Sequence, residues 1–359
     1  MGGMSIYKTL DIKSQIHDYH VLFVDDFSEE LKKVSEKQAF FIIDKTVADF
    51  YKDRLGVIFQ QNKCLIIEAT ESHKTLEYVK VVIRELIDSN FRKNNQLFAI
   101  GGGIIQDITG FVASILYRGV KWEFCPTTLL AQCDSCIGSK TSINVDEYKN
   151  QVGTFYPPNQ IILDIRFLNT LPENDIKSGF GEIIKVHFLD GKESFKYIAE
   201  YYDRSLQDTQ LISELIFKSL QIKKRIIAND EFDLGYRNIM NYGHTFGHAI
   251  ESLTNYSIRH GQAVTIGMDI SNYLSYKLGL LDENTYREMK KVVIKNLPKY
   301  NLRELGLDLF FEALSRDKKN VDNRVTMILT SGPGKMFKKS FVLDNTVKGY
   351  IKTYFEENY

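Results

Sequence analysis

The hydrophobic rhythm of this chain changes once, near residue 172, and that change limits the fold more than any other feature. From about residue 20, short β-rich runs alternate with helical stretches: "YHVLFV", "AFFIID", "KCLIIEA", the long amphipathic "TLEYVKVVIRELIDSN", "QLFAIGG", "KWEFCPTT" and "QIILDI". That alternation predicts βαβ units on a mainly parallel sheet. Beyond "LNTLPEND" helical periodicity takes over, as in "SELIFKSLQIKKRIIAND" and "YREMKKVVIKNL". The expected class is α/β plus α: an α/β domain over 1–172 and a helical domain over 173–359. The chain has no internal repeat and no low-complexity tract.

Composition narrows the function. With 359 residues, 43% of them hydrophobic, the chain can bury the cores of two soluble globular domains. Lys plus Arg and Asp plus Glu both number 46. No global field therefore favours nucleic acid or an anionic membrane, and any anion site must be local. Four cysteines are too few for a disulfide framework and fit a reducing cytoplasm; "CDSC" lacks a second pair and reads as two small buried residues. No secretion signal opens the sequence. The run "LFAIGGGIIQDITGFVASILY" is long enough for a membrane span, but Gln106, Asp107 and three glycines make it a buried strand, loop and helix.

Three stretches carry chemistry. In "FAIGGGIIQDITGFVAS" a strand runs into Gly101, Gly102 and Gly103 and then a helix, which is how backbone N–H groups are brought against a pyrophosphate; a turn that merely packs strand on helix is the plain alternative. "RGVKWEFCPTTLLAQCDSCIGSKTSINVDEYKNQVGTFYPP" offers Arg118, Asp134, Lys140, Lys149 and Asn150 among small residues, a set suited to a phosphorylated ligand, with a solvated basic face as the alternative. "SGFGEIIKVHF" places Glu182 and Lys185 on one helical face, where alone they are an ordinary surface ion pair. Glu182, His244 and His260 supply one carboxylate and two imidazoles, a common ligand set for catalytic zinc. His248, one helical turn after His244, fits that spacing equally well, and spacing does not choose between them.

The motifs "GGGIIQDITGF", "RGV", "PTTLLAQCDS", "GSKT", "YKNQVGTFYPP", "TLP", "GEIIK", "NYGHTFGHAIE", "HGQAV" and "RDKK" resemble, in order and spacing, those of the 3-dehydroquinate synthases among the sugar-phosphate cyclases, over about residues 40–330. The resemblance implies an NAD- and zinc-dependent lyase, with cobalt as an alternative metal. It also implies a Rossmann-like first domain, a helical second domain, an active site in the cleft between them, and a cytoplasmic homodimer in the shikimate route to aromatic amino acids. Carried over by position, zinc falls to Glu182, His244 and His260, leaving His248 for substrate. NAD falls to Gly101, Gly102, Gly103 and Asp107, with Asp44, Glu71, Lys74, Thr127, Thr128 and Thr170 at its ends. Substrate falls to Asp134, Lys140, Asn150, Lys185, Lys223, Arg237 and Asn241, with Lys149, one of Lys318 and Lys319, and Arg118 from across the dimer interface.

The implied reaction oxidises 3-deoxy-D-arabino-heptulosonate 7-phosphate at C5, eliminates phosphate, returns the hydride, opens the ring and closes the carbocycle of 3-dehydroquinate by an aldol step. A metal lowers the alcohol pKa and polarises the ketone, NAD supplies the hydride chemistry, and cations neutralise phosphate and carboxylate together. Imidazole, with an ordinary pKa of about 6.5, suits His248 to proton transfer. Ser139 and Tyr148 stand where the family usually has glycine, Gly181 where it usually has alanine, and Cys133 and Cys136 replace a small apolar residue and a serine. A sister cyclase taking a sugar phosphate without a carboxylate, a metal-dependent polyol dehydrogenase and a non-catalytic binding module are the competing readings.

Overall fold

The computed structural model of the chain describes residues 6–35, 39–60, 64–146, 148–315 and 324–358. It divides into two compact units, residues 1–172 with 223–232, and residues 173–222 with 233–359.

Among the described residues the first unit holds a seven-stranded sheet. Its strands are β1 (Ile6–Ile12), β2 (Tyr19–Val24), β3 (Ala39–Asp44), β4 (Cys64–Ile67), β5 (Gln96–Gly101), β6 (Lys121–Pro126) and, after the hairpin of β7 (Lys140–Val145) and β8 (Tyr148–Phe155), β9 (Gln160–Leu163). The order across the sheet is β1-β2-β9-β6-β5-β3-β4, parallel throughout except for β1, which pairs antiparallel with β2. The six runs expected as strands are the six parallel ones. The mainly apolar character of the central ones has a physical cause, since a parallel sheet is covered on both faces. Phe41, Ile42, Ile43, Phe98, Ala99 and Ile100 are all fully buried.

Helices of this unit are α1 (Phe27–Ser35), α2 (Lys45–Phe50), α3 (Gly56–Gln60), α4 (Leu76–Asp88) and α5 (Gly103–Ile115). Thr75 caps α4 by accepting from the Tyr78 N–H at 3.3 Å, and Val79, Val82 and Leu86 form its buried stripe. The apolar run at 97–117 is β5, the glycine turn and α5, and no helix of the described residues is long and apolar enough to cross a membrane. Cys133 and Cys136 are buried, and burial pushes the Cys136 thiol up to about 12.

The second unit is mainly helical: α6 (Glu173–Asp190), α7 (Lys192–Ser205), α8 (Thr209–Asn229, whose last turns group with the first unit), α9 (His244–Leu253), α10 (His260–Lys277), α11 (Glu283–Val293), α12 (Leu307–Ser315) and α13 (Asn345–Asn358). Periodicity alone missed its antiparallel hairpin, β10 (Arg324–Thr330) and β11 (Met336–Val342). α10 is buried on every side from Gly261 to Ser275. Several of its buried polar residues are bonded: Thr265, Ser271 and Ser275 donate to carbonyls four residues back at 2.7–2.9 Å, and Asp269 accepts from Tyr354 at 2.7 Å.

Candidate active site

One carboxylate and three imidazoles meet where α6, α9 and α10 cross. Glu182 lies in mid-α6, while His244 and His260 each begin a helix. The close approach of α6 and α10 comes from missing side chains. A Cβ on Gly181 would stand 1.9 Å from the Gly261 carbonyl oxygen, and a Cβ on Gly261 would stand 1.7 Å from that of Ser178. Where the resembled family usually has alanine, this chain brings two helices closer than alanine permits.

His260 Nε2 lies 3.4 Å, and His244 Nε2 3.9 Å, from the same oxygen of Glu182, Oε1. The candidate ligand atoms of these three residues lie within 4.8 Å of one another. Glu182 is 1% exposed, neither of its oxygens makes an aligned hydrogen bond, and Lys185 forms an ion pair with one of them. What reads from sequence as a surface pair is thus buried, with Lys185 at 2% exposure. Burial works against the Glu182 charge, but Lys185 and His260 outweigh it and hold the carboxyl well below the usual carboxylate range. Burial likewise opposes charge on His260, yet Glu251 and Glu182 raise its pKa, so the carboxylates favour a positive charge at the position where a cation would sit. An ionised buried carboxylate without aligned hydrogen bonds, faced by two imidazole nitrogens, is a donor set that fits a divalent cation. His248 is exposed on α9, its ring 5.3 Å from that of His244 and 5.8 Å from that of His260. Together with Glu251 and His260 it forms a second grouping of the same compactness, so geometry narrows the choice left by spacing without making His248 incapable of ligation.

The glycine turn belongs to the first unit. α5 starts at Gly103 off the carboxyl end of β5, and its N-cap, Gly102, provides no side-chain cap. A Cβ on Gly102 would meet the Thr128 methyl at 2.9 Å, and the Thr127 N–H donates to the Gly101 carbonyl at 2.9 Å, so Thr127 and Thr128 wall the turn. A helix start with backbone donors and no side chain over it fits a pyrophosphate. Asp44 ends β3 beside Gly101 and accepts from the Thr46 N–H at 2.8 Å; burial raises its carboxyl. Thr170 bonds to the Tyr51 hydroxyl at 3.1 Å.

Several expected residues meet in polar contacts of the first unit. Lys74 pairs with Asp107 at 2.5 Å and donates to Asn150 at 2.8 Å. Lys149 faces Glu71 at 3.3 Å, and Lys223 donates to the Asp134 carbonyl at 2.6 Å and pairs with its carboxylate at 2.9 Å. Lys185, Lys149 and Lys223 therefore each meet a carboxylate, which offsets part of their positive charge. Lys140 is exposed at the start of β7. Arg118 is exposed in a turn where Tyr117, Arg118 and Gly119 all have positive φ, and Lys93 secures it by donating to the carbonyls of Tyr117, at 2.7 Å, and Gly119. Arg237 is buried, and it shares a short 3₁₀ turn with Asn241. Lys318 and Lys319 lie outside the described residues.

Sequence reasoning missed four residues. Glu251 contacts His260; Ser142 bonds both Asp107 and Asn150 at 2.8–2.9 Å; Asn144 bonds Glu71 at 2.8 Å; and Glu231 accepts from Ser14, Gln15 and Ser139. Only Glu251 had a signal, three residues after His248 on the same helix. Ser139 has a positive φ of 65°, the region a glycine adopts without strain, and its hydroxyl donates to Glu231 at 3.1 Å.

Comparison with known proteins is consistent over most of the chain. Residues 64–178 match the pattern of the 3-dehydroquinate synthase N-terminal domain, and 179–320 that of the C-terminal domain. The chain is 34% identical to the 3-dehydroquinate synthase of Campylobacter fetus, over 91% of its length and 95% of the relative's. It is 38% identical to that of Dictyoglomus thermophilum, over 83% and 84%. Among solved structures, a 2-epi-5-epi-valiolone synthase from Streptomyces hygroscopicus with NAD+ and Zn2+ bound superposes with a TM-score of 0.84 at 25% identity, covering 95% of this chain and 97% of that one. A 2-deoxy-scyllo-inosose synthase superposes at 0.81 and 23% identity, covering 98% and 100%, a likeness of fold.

Proposed function

The chain belongs to the 3-dehydroquinate synthase family, and from that premise we propose that it is an NAD- and zinc-dependent lyase that converts 3-deoxy-D-arabino-heptulosonate 7-phosphate to 3-dehydroquinate and phosphate. The observation that carries the proposal is the convergence of Glu182, His244 and His260 on one carboxylate oxygen in a chain of this family. In cellular terms this is a cytoplasmic, homodimeric step toward aromatic amino acids.

In this reading, NAD when bound would supply hydride chemistry, and a metal held by the three ligands below would polarise the oxygen of the alcohol whose carbon is oxidised. Glu182, His244 and His260 hold the metal. Gly101 to Gly103 and the start of α5 take the pyrophosphate, Asp44 a ribose hydroxyl, and Thr127, Thr128 and Thr170 line the cofactor, while Lys74 orients Asp107 and Asn150, and Glu71 orients Lys149. Lys140, Lys185, Lys223 and Arg237 bind the two anionic ends of the substrate, with Asp134, Asn150 and Asn241 on its hydroxyls. His248 stands outside the metal set, exposed and able to take or give a proton at the substrate. Arg118, and Lys318 or Lys319, complete the grip.

A phosphate-release assay tests the function. With NAD and zinc present, kcat/KM for 3-deoxy-D-arabino-heptulosonate 7-phosphate should far exceed that for sedoheptulose 7-phosphate, because a site built for a carboxylate rejects an analogue lacking it by up to about 10⁴–10⁵. Arg237→Ala should narrow the gap. Equal turnover, or a preference for the sugar without a carboxylate, would make the protein a sister cyclase.

A further inference from the structure

The two imidazoles facing Glu182 are each held from behind. His244 Nδ1 meets the Tyr242 carbonyl at 3.2 Å, and His260 Nδ1 meets Glu251 Oε2 at 2.8 Å. A carbonyl or a carboxylate accepts, so in a neutral imidazole the Nδ1 carries the proton and the lone pair is on Nε2. Both Nε2 atoms are the ones that face Glu182. We infer that Glu251 is a positioning residue, which fixes His260 in its Nδ1–H tautomer and ring orientation so that Nε2 binds metal. The inference rests on the proposed metal site and adds a residue outside its ligand set.

Glu251 is suited to the task. It lies in the last turn of α9 and is 9% exposed, whereas the ring it holds begins α10, so the contact also ties the end of α9 to the start of α10. A carboxylate is a stronger acceptor than the carbonyl behind His244 and makes the imidazole a more basic donor. The competing role, Glu251 as a ligand of a second ion with His248 and His260, requires His260 to bind metal through Nδ1. That nitrogen carries the proton in the tautomer described, and binding through both nitrogens at once would require a fully deprotonated ring.

The test uses the full-length protein and zinc itself. Titration against a zinc chelator should give one ion per chain in the wild type and an affinity about 10–100-fold weaker in Glu251→Ala. Glu251→Gln keeps the size and an acceptor oxygen but loses the charge, so it should fall between the two. In zinc-loaded wild type, ¹⁵N-resolved NMR should show a slowly exchanging Nδ1–H on His260. In Glu251→Gln that proton should move upfield, a change that a purely structural role would not produce. Wild-type zinc affinity in Glu251→Ala, or a second ion that this variant alone loses, overturns the positioning role and leaves the main site standing. A wild type that binds no zinc overturns the metal reading itself.

Discussion

Replacing Gly261 with alanine should separate two helices and take the metal with it. The new Cβ would lie 1.7 Å from the Ser178 carbonyl oxygen, about 1.6 Å short of an ordinary C···O contact of about 3.3 Å. Backbone faces backbone here, so neither side has a flexible end that can rotate away. α10 must shift from α6, and the Gly261 N–H to Ser178 Oγ bond of 3.0 Å stretches with it. Overpacking of this kind costs about 1–3 kcal/mol. Metal–ligand distances tolerate only about 0.2 Å, so even half the required shift carries His260 out of reach of an ion held by Glu182. We expect zinc affinity to fall by at least about 10²-fold and Tm by several degrees, read by chelator competition and thermal unfolding. Gly349→Ala is the control: nothing lies within 4 Å of its Cβ, it is exposed on α13, and it should be neutral or stabilising by up to about 1 kcal/mol. Wild-type zinc affinity in Gly261→Ala would refute the claim that the glycine crossing sets the site.

His244→Ala should lose zinc by elemental analysis, whereas His248→Ala should keep it while turning over slowly; the reverse pattern exchanges their roles. Gly102→Val should lose NAD affinity in calorimetry while remaining folded, because its side chain has to displace Thr128 and then stands over the α5 N–H groups. Undiminished binding in that variant moves the cofactor elsewhere. His187 on α6 is 1% exposed, and burial pushes its pKa down to about 4 against the pull of Asp190. The unfolded chain, at about 6.5, binds the proton more readily, so the native state loses stability as pH falls from about 6.5 to 4, by roughly 3 kcal/mol in all. His187→Phe should flatten that part of the stability curve, and an unchanged slope would assign it to other groups.

The parallel sheet was legible because burial of its central strands on both faces leaves a mainly apolar signal, clearest in β3 and β5. β1 was not: as the antiparallel edge in "IYKTLDI" it mixes exposed and buried positions. The β7–β8 hairpin was hidden in the segment read for its cations, and its polar alternation, with Tyr148 and Asn150 exposed, looks like loop. At the site, the metal ligands were named by residue type and resemblance, but their partners depend on helix crossings that no local pattern records. Glu182 and Lys185 are buried because α6 is enclosed, and Ser139 turns to Glu231, 92 residues away.

The place of β9 in the sheet sets an order on biosynthesis. It lies between β2 and β6, so the β1–β2 ribbon cannot join the remaining strands until Leu163 has been made. β6 ends at Pro126, 37 residues earlier, and β2 at Val24, 139 residues earlier. At about 5–20 residues per second, β6 waits roughly 2–7 s and β2 roughly 7–28 s with an unpaired edge. For that interval the nascent chain carries two open strand borders, the kind of surface that other chains can pair with, and one four-residue strand, Gln160–Leu163, closes both at once.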